Sequence, residues 1–244
     1  MPDERAGDFW KEGKDMALYA LGDMHLSFSV DKPMDIFGPL WEDHEKRLIE
    51  NWCLKQDDTI VIAGDLSWAM DMNQLEPDLA LLDSLPGQKI LLKGNHDYWW
   101  STQKKLYEFI EPRFKTISFL FNNTYQTEHV FLCGTRGWLL EPGEENDQKV
   151  IDREAGRLRL SLQAYQKQQS NKPAYVFLHY PPVFNGTVCE PILQVLKEYQ
   201  IRECFYGHLH GHAAHELAEK ETYEGIHMHL ISADYLQFKP LQIF

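Results

Sequence analysis

Two things are scarce in this chain, paired cysteines and positive charge. Its four cysteines, Cys53, Cys133, Cys189 and Cys204, never approach a CxxC spacing. That excludes a thiolate zinc ribbon and gives no disulfide framework. Three of them lie beside apolar strand-like runs, where a free thiol behaves as a small hydrophobe. Lysine and arginine total 24 against 37 acidic residues, a formal charge of −13. A surface so acidic does not suit an extended nucleic acid or an anionic membrane, although a phosphate substrate stays open because bound metals reverse the local sign. No apolar run is long enough for a spanning helix. Residues 1–15 are polar and mixed in charge, resembling neither a signal peptide nor a membrane anchor, so a polar N-terminal extension and a cytoplasmic location are the expectation. Internal repeats, low-complexity tracts and linkers are absent too, which makes 1–244 one expected domain.

What the chain does have is enough apolar material for a large core, 43% of its residues with 13% aromatic, arranged as short strands alternating with helices. Strands are predicted at Met16–Leu21, Thr59–Ala63, Gln88–Lys93, Thr116–Phe121, Tyr125–Thr127, His129–Cys133, Ala174–Leu178 and Arg202–Tyr206, with closing antiparallel strands at Gly225–Ile231 and Tyr235–Phe244. Helices are predicted at Trp41–Lys55, Gln74–Ser84, Ser101–Phe109, Val150–Gln169 and Pro191–Tyr199. In the first of these, Trp41, His44, Leu48 and Trp52 form the buried stripe. The loops Ser27–Pro39, Ser67–Met72, Trp138–Asp147 and Tyr180–Cys189 carry the breakers.

Chemistry-bearing residues recur at the strand ends. The first strand ends at Gly22-Asp23-Met24-His25, where two side chains, two residues apart on an extended tip, face the same way. The second ends at Gly64-Asp65. The third delivers Gly94-Asn95-His96-Asp97: an amide oxygen, an imidazole able to move a proton near neutral pH, and a carboxylate able to hold a histidine ring in one tautomer. A later strand ends at His179, and another at Gly207-His208-Leu209-His210-Gly211. Any one of these is an ordinary turn. Their repetition at the carboxyl ends of strands, where open α/β sheets build sites, points to a metal centre. His227 and His229 fall within a strand run and read as strand-face residues; His212 and His215 read as loop residues. Arg136 is either a phosphate contact, since guanidinium forks onto phosphate oxygens, or a structural arginine. Trp68, Trp99 and Trp100 can pack in the core, wall a pocket or face a partner, core packing being the commonest fate.

Taken together and in this order, Asp23-x-His25, Gly64-Asp65, Gly94-Asn95-His96-Asp97, His179 and Gly207-His208-x-His210 resemble the five motif blocks of the calcineurin-like metallophosphoesterase superfamily. The resemblance implies a four-layer α/β-β/α sandwich, two central mixed sheets flanked by helices, with two metal ions at the strand ends. It places Asp23, His25, Asp65 and His210 on one ion, and Asp65 as a bridge to a second held by Asn95, His179 and His208. The family's histidine–aspartate pair falls on His96 and Asp97. A donor set of carboxylate, amide and imidazole without thiolate suits Mn, Fe, Zn or Co. The implied reaction is phosphoester hydrolysis, with a metal-bridging hydroxide as nucleophile and His96, oriented by Asp97, as general acid. The implied partner is a phosphorylated small molecule or other phosphoester. Mono- and diester remain equally open, and so does a different class, a metal-binding scaffold for partner proteins with little catalysis.

Overall fold

The computed structural model describes residues 16–139 and 148–244. The polar segment before Met16 and the acidic stretch Glu141–Asp147 lie outside them. Two large sheets carry the chain. The first is assembled from β1 (Leu18–Leu21), β2 (Thr59–Ala63), β3 (Gln88–Leu92) and β4 (Ile117–Phe119), parallel to one another, with the last strand, β13 (Leu241–Gln242), antiparallel on β1. The second contains β5 (Tyr125–Gln126), β6 (Phe131–Thr135), β7 (Ala174–Leu178), β10 (Glu203–Tyr206), β11 (Thr222–Tyr223) and β12 (Ile226–Leu230), in the order β11-β12-β10-β7-β6-β5. A small hairpin, β8 (Val183–Phe184) with β9 (Thr187–Val188), which no sequence pattern announced, follows β7.

The layering follows from strand alternation. On β1 and β2, Leu18, Ala20, Val61 and Ala63 point one way, toward Leu132 of β6, Phe177 of β7 and Phe205 of β10, so the two sheets share one buried face. Tyr19, Leu21, Ile60 and Ile62 point the other way, against α1 (His44–Glu50), α2 (Met72–Ser84) and α3 (Gln103–Ile110). The outer face of the second sheet, Cys133, Val176, Leu178, Cys204 and Tyr206, packs on α4 (Gln148–Gln166) and α5 (Glu190–Glu198). The result is helix, sheet, sheet, helix, and every central strand is buried at each position along its length or nearly so, as its continuous apolar run requires. The three cysteines beside strands are buried and free, and burial pushes the thiols of Cys133 and Cys189 up to about 11. Among the described residues, no helix is long and apolar enough to cross a membrane.

Four local expectations are corrected. The helix read over Trp41–Lys55 is a 3-10 turn, Pro39–Trp41, followed by α1; Asp43 at φ 50° separates the two. Trp52 falls beyond α1 and is half-buried against the core; its indole N–H donates to the Pro86 carbonyl at 3.0 Å. The closing strand at Gly225–Ile231 is antiparallel only to β11 and runs parallel to β10. Of Tyr235–Phe244, only Leu241–Gln242 is strand, because Gln237 and Phe238 take left-handed backbone (φ 54° and 60°) that no strand continues through. Finally, His212 and His215 belong to a short helix, α6 (Gly211–Leu217), not to a loop.

Candidate metal centre

The carboxyl ends of β1, β2 and β3 in one sheet, and of β7 and β10 in the other, converge at one edge of the sandwich. Here the structure brings together all seven residues singled out as ligands. The Nε2 atoms of His25 and His210 stand 3.4 Å apart. Asp23 Oδ1 lies 3.6 Å from His210 Nε2, and Asp65 Oδ2 lies 3.8 Å from His25 Nε2. On the other side of Asp65, the same Oδ2 is 3.6 Å from His179 Nε2. Asn95 Oδ1 is 2.5 Å from His179 Nε2 and 3.0 Å from His208 Nδ1. Ligand atoms of Asp23, His25 and His210 lie within 4.8 Å of one another, as do those of Asp23, Asp65 and His179. Asp65 thus stands between two groups of nitrogen donors.

Convergence is achieved by a backbone the sequence reading did not foresee. Instead of extended tips, Asp23, His25, Asp65 and His208 have φ of 58°, 48°, 49° and 71°. Non-glycine residues in this region are uncommon and gather where surrounding structure over-determines them. The neighbouring glycines explain how room is made. A Cβ on Gly94 would sit 2.0 Å from Asp65 Oδ1, and one on Gly207 would sit 2.4 Å from Asp23 Oδ2. Each carboxylate occupies the volume that any other residue would fill.

Two imidazoles have their tautomers set by partners behind them. His179 Nδ1 is 3.1 Å from the Ala63 carbonyl, and donating there leaves the Nε2 lone pair facing Asp65 and Asn95. His210 Nδ1 is 3.0 Å from Asp234 Oδ1, which likewise leaves Nε2 facing Asp23. Asp234 also accepts from the Gly211 N–H at 2.9 Å and lies 3.4 Å from His215 Nε2. Sequence reasoning missed both Asp234 and His215. For Asp234, in Ser-Ala-Asp-Tyr after β12, the sequence carries no signal; His215 is five residues past His210 and was visible only with α6 in place. His44 sits at the edge of the site, buried as expected, with Nε2 3.3 Å from the His25 carbonyl.

The relationship assigned to His96 and Asp97 is different from the one expected. Asp97 is fully buried, and its carboxylate accepts from the backbone N–H groups of Gly94, Asp65, Leu66 and Ser67 and from the Trp99 indole, at 2.7–3.4 Å. None of these five bonds goes to His96. Neighbours in the chain project in divergent directions, so the carboxylate turns inward to bind the two loops while the imidazole turns out. The His96 ring is about one-third exposed, with Nε2 4.0 Å from Asp65 Oδ2 and Nδ1 3.4 Å from the Tyr98 hydroxyl. It packs on Trp68 with ring centroids 4.4 Å apart.

Arg136 lies beside the site without facing it openly. Its carbonyl accepts from the N–H groups of His179 and Tyr180 at 3.0 and 2.9 Å. Its guanidinium stands 3.7 Å from the buried Glu154 and 4.6 Å from the Trp138 ring centroid. Among the described residues, its Nε–H has no hydrogen-bond partner. The tryptophans divide their roles: Trp99 and Trp100 pack in the core with Phe119 and Phe121, whereas Trp68 stacks on His25 at the cavity wall.

The electrostatics of these residues are those of a cation site. Burial, with the Asp65 carboxylate adding to it, pushes Asp23 up to about 8; burial also raises Asp65. Burial drives His179 down to about 3, His208 to about 2, and His25 well below its ordinary value. His210 goes the other way, to about 9: burial alone would lower it, but the Asp234 hydrogen bond and the Asp23 and Asp65 carboxylates outweigh that. Burial thus keeps three of the four imidazoles neutral, with lone pairs available, while it raises the two carboxylates' affinity for a proton. Oxygen and nitrogen lone pairs facing each other without thiolate fit borderline and hard divalent ions.

The sequence profile of the calcineurin-like phosphoesterase family matches residues 16–212, which include every one of these ligand side chains. The chain belongs to the calcineurin-like phosphoesterase family. Membership makes it a metal-dependent phosphoesterase by class, with a phosphoester as substrate. Among solved structures, a phosphopantetheinyl hydrolase from Mycobacterium tuberculosis is 14% identical, with 93% of this chain and 95% of that chain covered and a TM-score of 0.55; at this identity the likeness speaks for the fold. The protein of unknown function AQ665 from Aquifex aeolicus is 16% identical over 93% of this chain and 96% of that one, TM-score 0.49. TT1561 of Thermus thermophilus is 13% identical over 80% and 82%, TM-score 0.49. No curated protein matches the sequence. The family's fold is the one described above: two mixed sheets, flanked by helices, with the motif residues at their shared edge.

Proposed function

We propose that this chain, acting as one domain, hydrolyses a phosphoester at a two-metal centre built on Asp65. The observation that carries the reading is the position of Asp65, one carboxylate oxygen lying 3.8 Å from His25 Nε2 and 3.6 Å from His179 Nε2. Asp23, His25, Asp65 and His210 would hold one ion, and Asp65, Asn95, His179 and His208 the other; Mn, Fe, Zn or Co suits this set. When bound, the ions supply a nucleophile from water at neutral pH and offset charge on the phosphoryl oxygens.

The protein's own groups handle the rest. As an oxygen from water bonds to phosphorus, the bond to the leaving oxygen breaks and that alkoxide takes a proton from the charged form of the His96 ring, which burial disfavours and the Asp65 carboxylate favours. His96 is the one motif imidazole both partly exposed and uncommitted to a ligand position. Tyr98 and Trp68 hold its ring, the position the expectation gave to Asp97. Asp97 instead keeps the loops carrying Asp65 and Asn95 at fixed separation. Arg136 would have to turn its largely buried guanidinium toward the site to reach a phosphoryl oxygen, since its Nε–H, without a partner among the described residues, is enclosed.

The test is hydrolysis of 4-nitrophenyl phosphate and bis(4-nitrophenyl) phosphate by protein stripped of metal and then reloaded with Mn, Fe, Zn or Co. Metal-dependent turnover is the expected result, and the preferred ester separates monoesterase from diesterase. Absence of turnover with every metal, in protein holding two ions, would overturn the reading in favour of a binding scaffold.

A further inference from the structure

Beside the metal centre, a cavity of about 480 Å³ opens onto His25, His96 and His210. That is the size range of pockets that take drug-sized molecules. Apart from the exposed His212, its remaining side chains are apolar: Met34, Phe37, Leu40, Trp41 and Trp68 supply most of the wall, and among the described residues no aspartate, glutamate, lysine or arginine lines it. The inner wall is closely packed. Trp41 is buried and packs edge-on against His25, His210 and Phe238 at 5.3–5.6 Å. Trp68 stacks on His25 at 5.0 Å and its indole N–H points at Met34 Sδ, 3.2 Å away. Lys32 lies 5.4 Å from the Trp68 ring, outside the lining.

The mouth is formed by two consecutive 3-10 turns, Met34–Phe37 and Pro39–Trp41, joined by Gly38 at φ 117°. Here Ile36, Phe37 and Leu40 are 73%, 63% and 43% exposed. Such a cluster of large apolar side chains at the rim of a site marks a surface with a ligand to cover it.

We infer that this cavity is the subsite for the leaving alcohol, and that it selects phosphoesters of an apolar alkyl or aryl alcohol over those of a sugar or nucleotide. This rests on the phosphoesterase reading and on the place of His96. The proton donor lines the cavity, so the oxygen it protonates must sit at the cavity's inner end and the organic group attached to that oxygen must occupy the rest. Each methylene placed against Phe37, Leu40 and the two indoles leaves water. A sugar hydroxyl placed there would give up its water hydrogen bonds, with only imidazoles and a little backbone to replace them.

The test uses whole, metal-loaded protein and two ester series, n-alkyl phosphates and methyl n-alkyl phosphates, from ethyl to hexyl. Within each series the leaving alcohol's acidity is nearly constant. The expected result is a rise in kcat/KM of roughly fourfold per methylene, the transfer value of a buried CH₂, with the glycerol ester no better than ethyl. Replacing the exposed mouth residues together, Phe37→Asp with Leu40→Asn, should flatten the slope. A second arm reads binding alone: in metal-free protein, hexylphosphonate should quench tryptophan fluorescence at concentrations at least tenfold lower than ethylphosphonate. Turnover with no dependence on chain length would overturn the subsite and leave the phosphoesterase reading standing. If no ester is turned over by protein holding two ions, the phosphoesterase reading fails, and equal binding of the two phosphonates would then remove the subsite as well.

Discussion

Asp65 and Asp97 clasp each other's loops. The Asp65 N–H donates to Asp97 Oδ2 at 2.9 Å, while Asp65 Oδ1 accepts from the N–H of His96, Asp97's neighbour, at 2.8 Å. The turn after β2 and the turn after β3 are thereby locked to one another by two carboxylates, with Gly94 pressed against the first. One carboxylate keeps an oxygen for the site; the other is consumed in holding it.

Asp97→Ala tests this division of labour. Four backbone N–H groups and an indole would lose their buried acceptor. At about 1–3 kcal/mol for each donor left unsatisfied, and with water replacing some, a loss of roughly 3–5 kcal/mol in unfolding free energy is expected. Denaturant unfolding checks it. A variant of wild-type stability that lost or shifted only the alkaline limb of its pH–rate profile, the limb set by a proton donor, would instead return Asp97 to the role of orienting His96.

Asp234→Asn tests the support behind His210. An amide at this position can present its NH₂ to the ring and no longer fixes Nε2 as the free nitrogen. Second partners of ligating histidines typically contribute 10–100-fold to metal affinity. Competition with a chelator should show a fall of that order, while folding, read by circular dichroism, is retained.

Glu154 is buried among arginines: Arg157 at 2.7 Å, Arg136 and Arg153 at 3.7 Å, with the Thr135 hydroxyl donating at 2.7 Å. Glu154→Gln leaves those guanidinium groups without their shared anion. Breaking a buried ion pair on one side costs about 3–5 kcal/mol. Because Arg153 and Arg157 reach solvent, a loss nearer 2–3 kcal/mol is expected in thermal or denaturant unfolding.

Lys89, at the end of β3 far from the strand tips that carry the site, gives a pH dependence of stability. It is buried, its ammonium bonded to the Leu85 carbonyl and, at 3.1 Å, to the Thr116 hydroxyl, and burial lowers it to about 8 from 10.5 in spite of Asp83. Below pH 8 the lysine is charged in both states and the folded protein bears the full cost of burying it. Between pH 8 and 10.5 the unfolded chain holds the proton and the native state does not, so stability rises with pH across that window. Relative to Lys89→Met, wild-type protein should gain about 1–3 kcal/mol between pH 7.5 and 10.5. A difference that stays constant over the window would show that the folded lysine keeps its ordinary affinity for protons.

The sequence made the strands and the candidate ligands that converge at their ends legible because both are written in short local patterns. Thr59–Ala63 is β-branched in four of its five residues and reads as a buried strand; Gly-Asp, Gly-Asn-His-Asp and Gly-His-x-His each follow such a run closely. What could not be read was set by contacts between distant segments. The Asp97 side chain was assigned to its neighbour His96, but its acceptor capacity is taken by N–H groups about 30 positions earlier in the chain. Asp234 reaches His210 only because the chain returns along β12. Tyr235–Phe244 has strand-like composition, yet two left-handed residues turn it back before it pairs with β1. The left-handed backbone at Asp23, His25, Asp65 and His208 has no compositional sign, since it is imposed by loops that press on each other.

The central claim is that Asp65 is shared between two ions, and metal stoichiometry tests it most directly. Protein loaded with Mn or Zn, freed of excess ion and analysed by elemental mass spectrometry should hold two ions per chain, whereas Asp65→Asn should hold one or none. Two ions per chain in the variant, bound as tightly as in the wild type, would contradict it.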